Sequence, residues 1–134
     1  MSITGSCLCG AVRFELTGPV DVINYCHCSR CRRRTGSAFA TIVHARIADF
    51  RFVSGEANIE TFVPEEWNSH SFCRSCGSPV PFLNKEDGEV GIPAGLLDQD
   101  PGVRPSLHIM VGSKAPWYEI SDDVDGYDEF PDEW

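Results

Sequence analysis

Long apolar runs are missing from this chain. The longest, such as Ala38-Phe39-Ala40, fall far short of a membrane span, so no membrane-embedded helix is expected. Met1 to Ser6 has neither a basic cluster nor an apolar stretch. No secretory leader is therefore expected, and the chain reads as cytoplasmic. Positive charge is scarce: 11 Lys and Arg face 20 Asp and Glu, for a formal charge of −9. Such a chain repels a phosphate backbone at long range, which argues against nucleic acid as a partner. The sustained 3.6-residue period of a long helix is also absent. With 134 residues and a hydrophobic fraction of 42%, the chain is expected to be a single domain, 1–134.

What replaces the helical period is a series of short extended runs. Val12, Phe14 and Leu16 alternate with Ala11, Arg13 and Glu15, the pattern of a half-buried strand. Phe39 to Ile47, Phe50 to Val53, Ile59 to Phe62, Glu89 to Ile92 and Leu107 to Val111 also read as strands, with Pro64 closing the third of them. Pro79 and Pro81 suggest an edge strand. Ser29 to Thr35 allows one or two helical turns stopped by Gly36. The expected fold is mainly β, mostly antiparallel, with little helix. The end of the chain, about 121–134, is acidic and reads as a solvated tail, with Tyr127, Phe130 and Trp134 available to pin it.

Seven cysteines are the informative feature. In a cytoplasmic chain they point to metal or catalysis rather than disulfides. Cys7/Cys9 and Cys73/Cys76 are each followed at once by glycine, Gly10 and Gly77, and then by an extended run. Glycine accepts positive φ, so the chain can turn tightly and aim backbone N–H groups at the sulfurs. Two such knuckles facing each other make a closed four-cysteine zinc site. A redox CxxC pair or free buried thiols are the alternatives, although a redox pair has no need of Cys7 and Cys9.

Cys26, Cys28 and Cys31 remain. Three thiolates favour zinc and leave its fourth place open, the arrangement of a catalytic rather than a structural site. In an extended Cys26-His27-Cys28, the two sulfurs point to one side and His27 to the other. His27 is then left to orient the loop, to act as an acid or base behind the ligands, or simply to pack. The alternative for the triplet is a second structural zinc completed by His44, His70 or His108. Arg30 lies within the triplet, and Arg32, Arg33 and Arg34 follow it directly. They form a solvated helix face or receive an anion, since arginine pairs bidentately with carboxylates. A substrate bearing a thiol and carboxylates would satisfy both zinc and arginine.

Three motifs in order, Gly5-Ser6-Cys7-Leu8-Cys9-Gly10, Cys26-His27-Cys28-Ser29-Arg30-Cys31 with Thr35-Gly36, and Phe72-Cys73-Arg74-Ser75-Cys76-Gly77-Ser78, resemble the glutathione-dependent formaldehyde-activating family, which also includes centromere protein V. Ala94 to Asp98, His108-Ile109 and Lys114-Ala115-Pro116-Trp117 are weaker matches. The resemblance implies a β-tent of antiparallel sheets. It implies a structural zinc on Cys7, Cys9, Cys73 and Cys76 and a catalytic zinc on Cys26, Cys28 and Cys31. It also implies a carbon–sulfur lyase activity joining glutathione to formaldehyde as S-(hydroxymethyl)glutathione. The partner expected with the thiol, glutathione by this resemblance, is an aldehyde, or a thioether whose carbon–sulfur bond is cleaved in the reverse direction. Arg30, Arg32, Lys114 and Trp117 are candidates for holding the substrate, and His108 is expected to face the site.

Three rival functions stand beside this one. A methionine sulfoxide reductase-like β-tent enzyme would carry a late catalytic cysteine, yet none follows Cys76. A non-catalytic, zinc-stabilised interaction module needs only the closed site. A metal store would give up its second zinc readily to a chelator.

Overall fold

The computed structural model describes residues 2–65 and 68–134. Its strands are β1 (Ile3–Ser6), β2 (Arg13–Leu16), β3 (Val22–Cys26), β4 (Ala40–Arg46), β5 (Phe50–Ser54), β6 (Ile59–Glu65), β7 (Asn68–Cys73), β8 (Phe82–Asn84), β9 (Glu89–Pro93), β10 (Leu107–Ile109) and β11 (Asp125–Gly126). Among the described residues the only α-helix is α1 (Ser29–Thr35). The fold is mainly β, as the short alternating runs imply.

A three-stranded sheet, β1-β2-β5, faces a six-stranded sheet in the order β11-β10-β3-β4-β9-β8. Val12, Phe14 and Leu16 are fully buried, so the alternation read in the sequence places the core face correctly. Phe14, Leu16 and Ile3 pack with Ile23, Val43, Ala45, Val90 and Ile92 of the larger sheet. The hairpin β6-β7 stands apart as a two-stranded sheet. Among the described residues no helix is long and apolar enough to cross a membrane.

The structure differs from the sequence reading in three places. β6 continues through Pro64 to Glu65 rather than stopping there. The register shifts between Phe62 and Glu65, so the proline sits at an irregularity where its missing N–H breaks no ladder. β10 ends at Ile109 because Met110 turns into the left-handed region at φ 56. Val111 is therefore not the outward continuation of that strand. Finally, the acidic segment is not simply solvated. β11 pairs parallel with β10, and the Met110, Val111 and Gly112 N–H groups donate to Glu129, Tyr127 and Asp128 carbonyls. The backbone is docked while most of the acidic side chains stay in water.

Gly10 and Gly77 both adopt positive φ, 80° and 78°. A Cβ added at Gly77 would meet nothing within 4 Å, so the conformation alone selects glycine there. Gly77→Ala is expected to lower stability by about 1–2 kcal/mol without loss of bound metal. Denaturant titration with parallel metal analysis checks this. An unchanged midpoint would show that the turn does not depend on that backbone conformation.

Candidate metal centres

The two knuckles come together. The sulfurs of Cys7, Cys9, Cys73 and Cys76 all lie within 4.8 Å of one another. The Cys7–Cys9 and Cys9–Cys73 separations are 3.6 and 3.8 Å. A disulfide would need about 2.05 Å. Four sulfurs placed tetrahedrally about 2.3 Å from an ion are separated by about 3.8 Å. Val12 N–H donates to Cys7 Sγ and Asn58 Nδ2 to Cys73 Sγ, each at 3.3 Å. Cys7 and Cys73 are buried beside Val12 and Val80. A closed thiolate site for a soft divalent ion fits these residues.

The second group is Cys26, Cys28 and Cys31, also within 4.8 Å of one another. Cys26 ends β3, and Cys28 is the N-cap of α1, its sulfur accepting from Cys31 N–H at 3.3 Å. Gly36 closes the helix in the left-handed conformation, and Arg32, Arg33 and Arg34 occupy its last turn, where cations suit the helix dipole. Hydrogen bonds from Cys26 and Cys31 hold the Cys28 thiol far down, at about 2, against burial that raises it. Its partners move the other way. Cys26 is pushed up to about 11 by its hydrogen bond to Cys28, and Cys31 is raised by both neighbours. Alone, the cluster readily gives up only one proton. A bound cation is what would let all three sulfurs ionise, so the donor set fits a thiophilic metal.

Among the described residues, no histidine or carboxylate joins these three sulfurs as a fourth ligand. The candidates for that place are engaged elsewhere. His44 bonds Glu89 and Asn24, and His70 stacks on Phe72. His108 Nε2 donates to Asp122 Oδ1 and Oδ2 at 3.0 and 3.1 Å. His108 Nδ1 is then left as the acceptor for His27 Nε2–H at 2.8 Å.

His27 thus turns toward His108, Phe39 and Tyr118. Its Nδ1 is buried and without a partner among the described residues. The expectation that His108 faces the site is not met: it pairs beside Tyr25 while Ile109 pairs beside Cys26, so His108 lies on the sheet face opposite Cys26 and backs His27 instead. Asp122, Tyr118 and Phe39 were not singled out in the sequence. Asp122 lies in a run of acids and carries no local signal, while the histidines it serves are brought together only by the parallel β3-β10 pairing.

Burial lowers the His27 pKa to about 4, aided by the charges of His108 and Lys114 and opposed by Asp122. Between about 4 and the ordinary 6.5, the unfolded chain binds a proton that the folded chain refuses. Stability therefore rises with pH across this window and falls as pH is lowered through it. Denaturant unfolding at stepped pH, alongside imidazole nitrogen NMR, is expected to show that decline with His27 still neutral at pH 5.

Arg30 and Arg32 lie on α1 beside the sulfurs, and Arg32 Nε is buried without a hydrogen-bond acceptor among the described residues. Lys114 Nζ donates to the Ala115 and Tyr118 carbonyls, so it braces its own loop. Trp117 is 71% exposed, with its ring 6.5 Å from Tyr118.

The chain is similar to proteins already characterised by sequence or structure. The profile described as glutathione-dependent formaldehyde-activating enzyme matches residues 2–113. A Halomonas elongata protein named "Putative glutathione-dependent formaldehyde-activating enzyme" is 32% identical over 128 residues, 90% of this chain and 82% of that one. A Rhodobacter sphaeroides protein of known crystal structure is similar at TM-score 0.55 and 32% identity, over 76% of this chain and 91% of that one. With all three cysteine motifs inside the matched region, the chain belongs to the glutathione-dependent formaldehyde-activating enzyme family.

Proposed function

We propose that the chain catalyses addition of a glutathione-type thiol to formaldehyde, and the reverse carbon–sulfur cleavage, with zinc held by Cys26, Cys28 and Cys31. A second zinc, on Cys7, Cys9, Cys73 and Cys76, is structural. The observation that carries this reading is the group of three sulfurs that gains no fourth protein ligand among the described residues. The metal, when bound, supplies a cation that favours the ionised thiol of the substrate.

The rest falls to the chain. Arg30 and Arg32 present positive charge next to the sulfurs, and the orphaned Arg32 Nε is a donor suited to a substrate carboxylate. Lys114 holds the loop that carries Trp117 and Tyr118, and the Tyr118 ring stands against His27. His27 sits between two ligands, and its buried ring, locked by His108, fixes the backbone that carries them. Its role is positioning. Sulfur attacks the aldehyde carbon, the carbonyl π bond opens, and the thiol proton ends on oxygen. A free thiol is only a few per cent ionised at pH 7, so full ionisation contributes about 30-fold, or about 2 kcal/mol. Further acceleration comes from holding the two reactants in line.

The test uses zinc-loaded protein, glutathione and carbon-13-labelled formaldehyde, with adduct exchange followed by NMR. Exchange well above the spontaneous rate is expected, together with a glutathione-dependent change in the zinc X-ray absorption spectrum. Exchange at the spontaneous rate would end this reading.

A further inference from the structure

The face of the six-stranded sheet that carries Cys26 also carries a cavity that formaldehyde does not need. Cys26 pairs with Ala40 and Asn24 with Ile42, so Ala40 and Ile42 share the face of Cys26. Ala40, Ile42 and Phe82 pack around the three cysteines, and the same three side chains line a chamber of about 240 Å³. Val80, Pro93 and Leu96 extend a mainly apolar wall, to which Thr35, Thr41 and Ser71 add hydroxyl groups. The wall has a built feature in it. Phe82 lies directly on Gly91, where an added Cβ would stand 2.1 Å from the ring. Arg34 and His70 line this chamber and also the adjoining groove, which Arg30, Arg33 and Phe62 share. The chamber thus shares Ala40, Ile42 and Phe82 with the three-cysteine cluster, and Arg34 and His70 with the arginine-lined groove.

Formaldehyde is close in size to a water molecule, whose share of liquid volume is about 30 Å³. It offers no apolar surface to bury. An apolar cavity of about 150 Å³ suffices for benzene. We propose that the thiol-adduct site accepts larger, apolar aldehydes, with the aldehyde's aromatic ring or chain of about six carbons in this chamber and the thiol's carboxylates at the arginine-lined groove. This rests on the reading of the three-cysteine site given above and extends its substrate class. The reaction balances without an oxidant or reductant. A carbon–sulfur bond forms, the carbonyl π bond opens, and the thiol hydrogen passes to oxygen; the reverse restores aldehyde and thiol.

The experiment has two arms on zinc-loaded protein. Calorimetry compares S-methylglutathione with S-hexylglutathione, which differ by five methylenes and cannot react. Each buried methylene is worth about fourfold in affinity, so S-hexylglutathione is expected to bind at least 30-fold more tightly. Kinetics then compares formaldehyde, hexanal and benzaldehyde with glutathione, and the larger aldehydes are expected to exceed their spontaneous rates. Gly95 lines the chamber, is free of positive φ, and an added Cβ there meets nothing within 4 Å. Gly95→Phe is expected to cut the hexyl-to-methyl ratio to below about 3-fold, with zinc content and melting temperature showing that the fold persists.

Turnover of formaldehyde with equal affinity for the two thioethers overturns the chamber proposal and leaves the basic activity standing. Tight hexyl binding without turnover of any aldehyde overturns the enzymatic reading, and with it the reactive part of this proposal. A Gly95→Phe protein that is folded, zinc-loaded and still hexyl-selective places the chain elsewhere and also overturns it.

Discussion

Cys73→Ser is expected to leave the protein without stable tertiary structure at room temperature. Cys73 is fully buried, accepts from Asn58, and packs with Cys7, Val12 and Val80 in a small core of its own. That core ties the segment after β1 to the end of β7, more than sixty residues away. Binding of a structural zinc in finger peptides is worth about 10–16 kcal/mol at neutral pH, and a domain of this size has about 5–15 kcal/mol of total stability. A serine oxygen is a poor substitute for a soft thiolate, so most of that binding energy is lost. Circular dichroism and zinc analysis should show an unfolded, zinc-depleted chain. Strong chelation of the wild type should do the same. A folded Cys73→Ser protein with normal cooperativity would remove the structural role assigned to the four-cysteine site.

Cys28→Ser should behave in the opposite way: folded, one zinc instead of two, and inactive. Cys28 is only half-buried, and its local duty is to cap α1 by accepting from Cys31 N–H. Serine is among the best N-cap residues, so the helix keeps its cap. Cys28 belongs neither to the apolar core around Phe14 nor to the one around Cys7 and Cys73, and only borders the small cluster of Cys31, Ala40 and Ile42. The expected loss of stability is below about 2 kcal/mol. Activity should fall by at least about 10³-fold, because without the metal both the ionised thiol and the alignment of the reactants are lost. Zinc counting, unfolding curves and adduct exchange on one preparation separate these effects. Two zinc ions retained in Cys28→Ser would contradict the assignment of the triplet as a metal site.

The two cysteine clusters were legible in the sequence because their information is local. Three cysteines within six positions, and glycines directly after Cys9 and Cys76, are patterns that backbone geometry alone explains. The positive φ at Gly10 and Gly77 and the left-handed cap at Gly36 are where those patterns place them. The strand faces were legible for the same reason, as Val12, Phe14 and Leu16 show. The Asp122–His108–His27 chain was not legible. It depends on His108 lying beside Tyr25 through parallel pairing and on Asp122 being delivered by a segment whose composition reads as solvent-facing. The chamber was hidden likewise, since Arg34, Ile42, His70, Phe82 and Leu96 meet only once several elements have packed. Non-local register is invisible to periodicity, and both features are made of it.

The docked acidic segment also settles how the larger sheet ends. Without it, β10 would offer a row of unpaired N–H and C=O groups, the usual template for strand-to-strand aggregation. β11 covers that row with two residues, Asp125 and Gly126, flanked by Asp122, Asp123, Asp128 and Glu129. Any second molecule approaching this border meets concentrated negative charge on a strand too short to extend. The chain thus guards this border against strand addition at the same place where it supplies the carboxylate for His108.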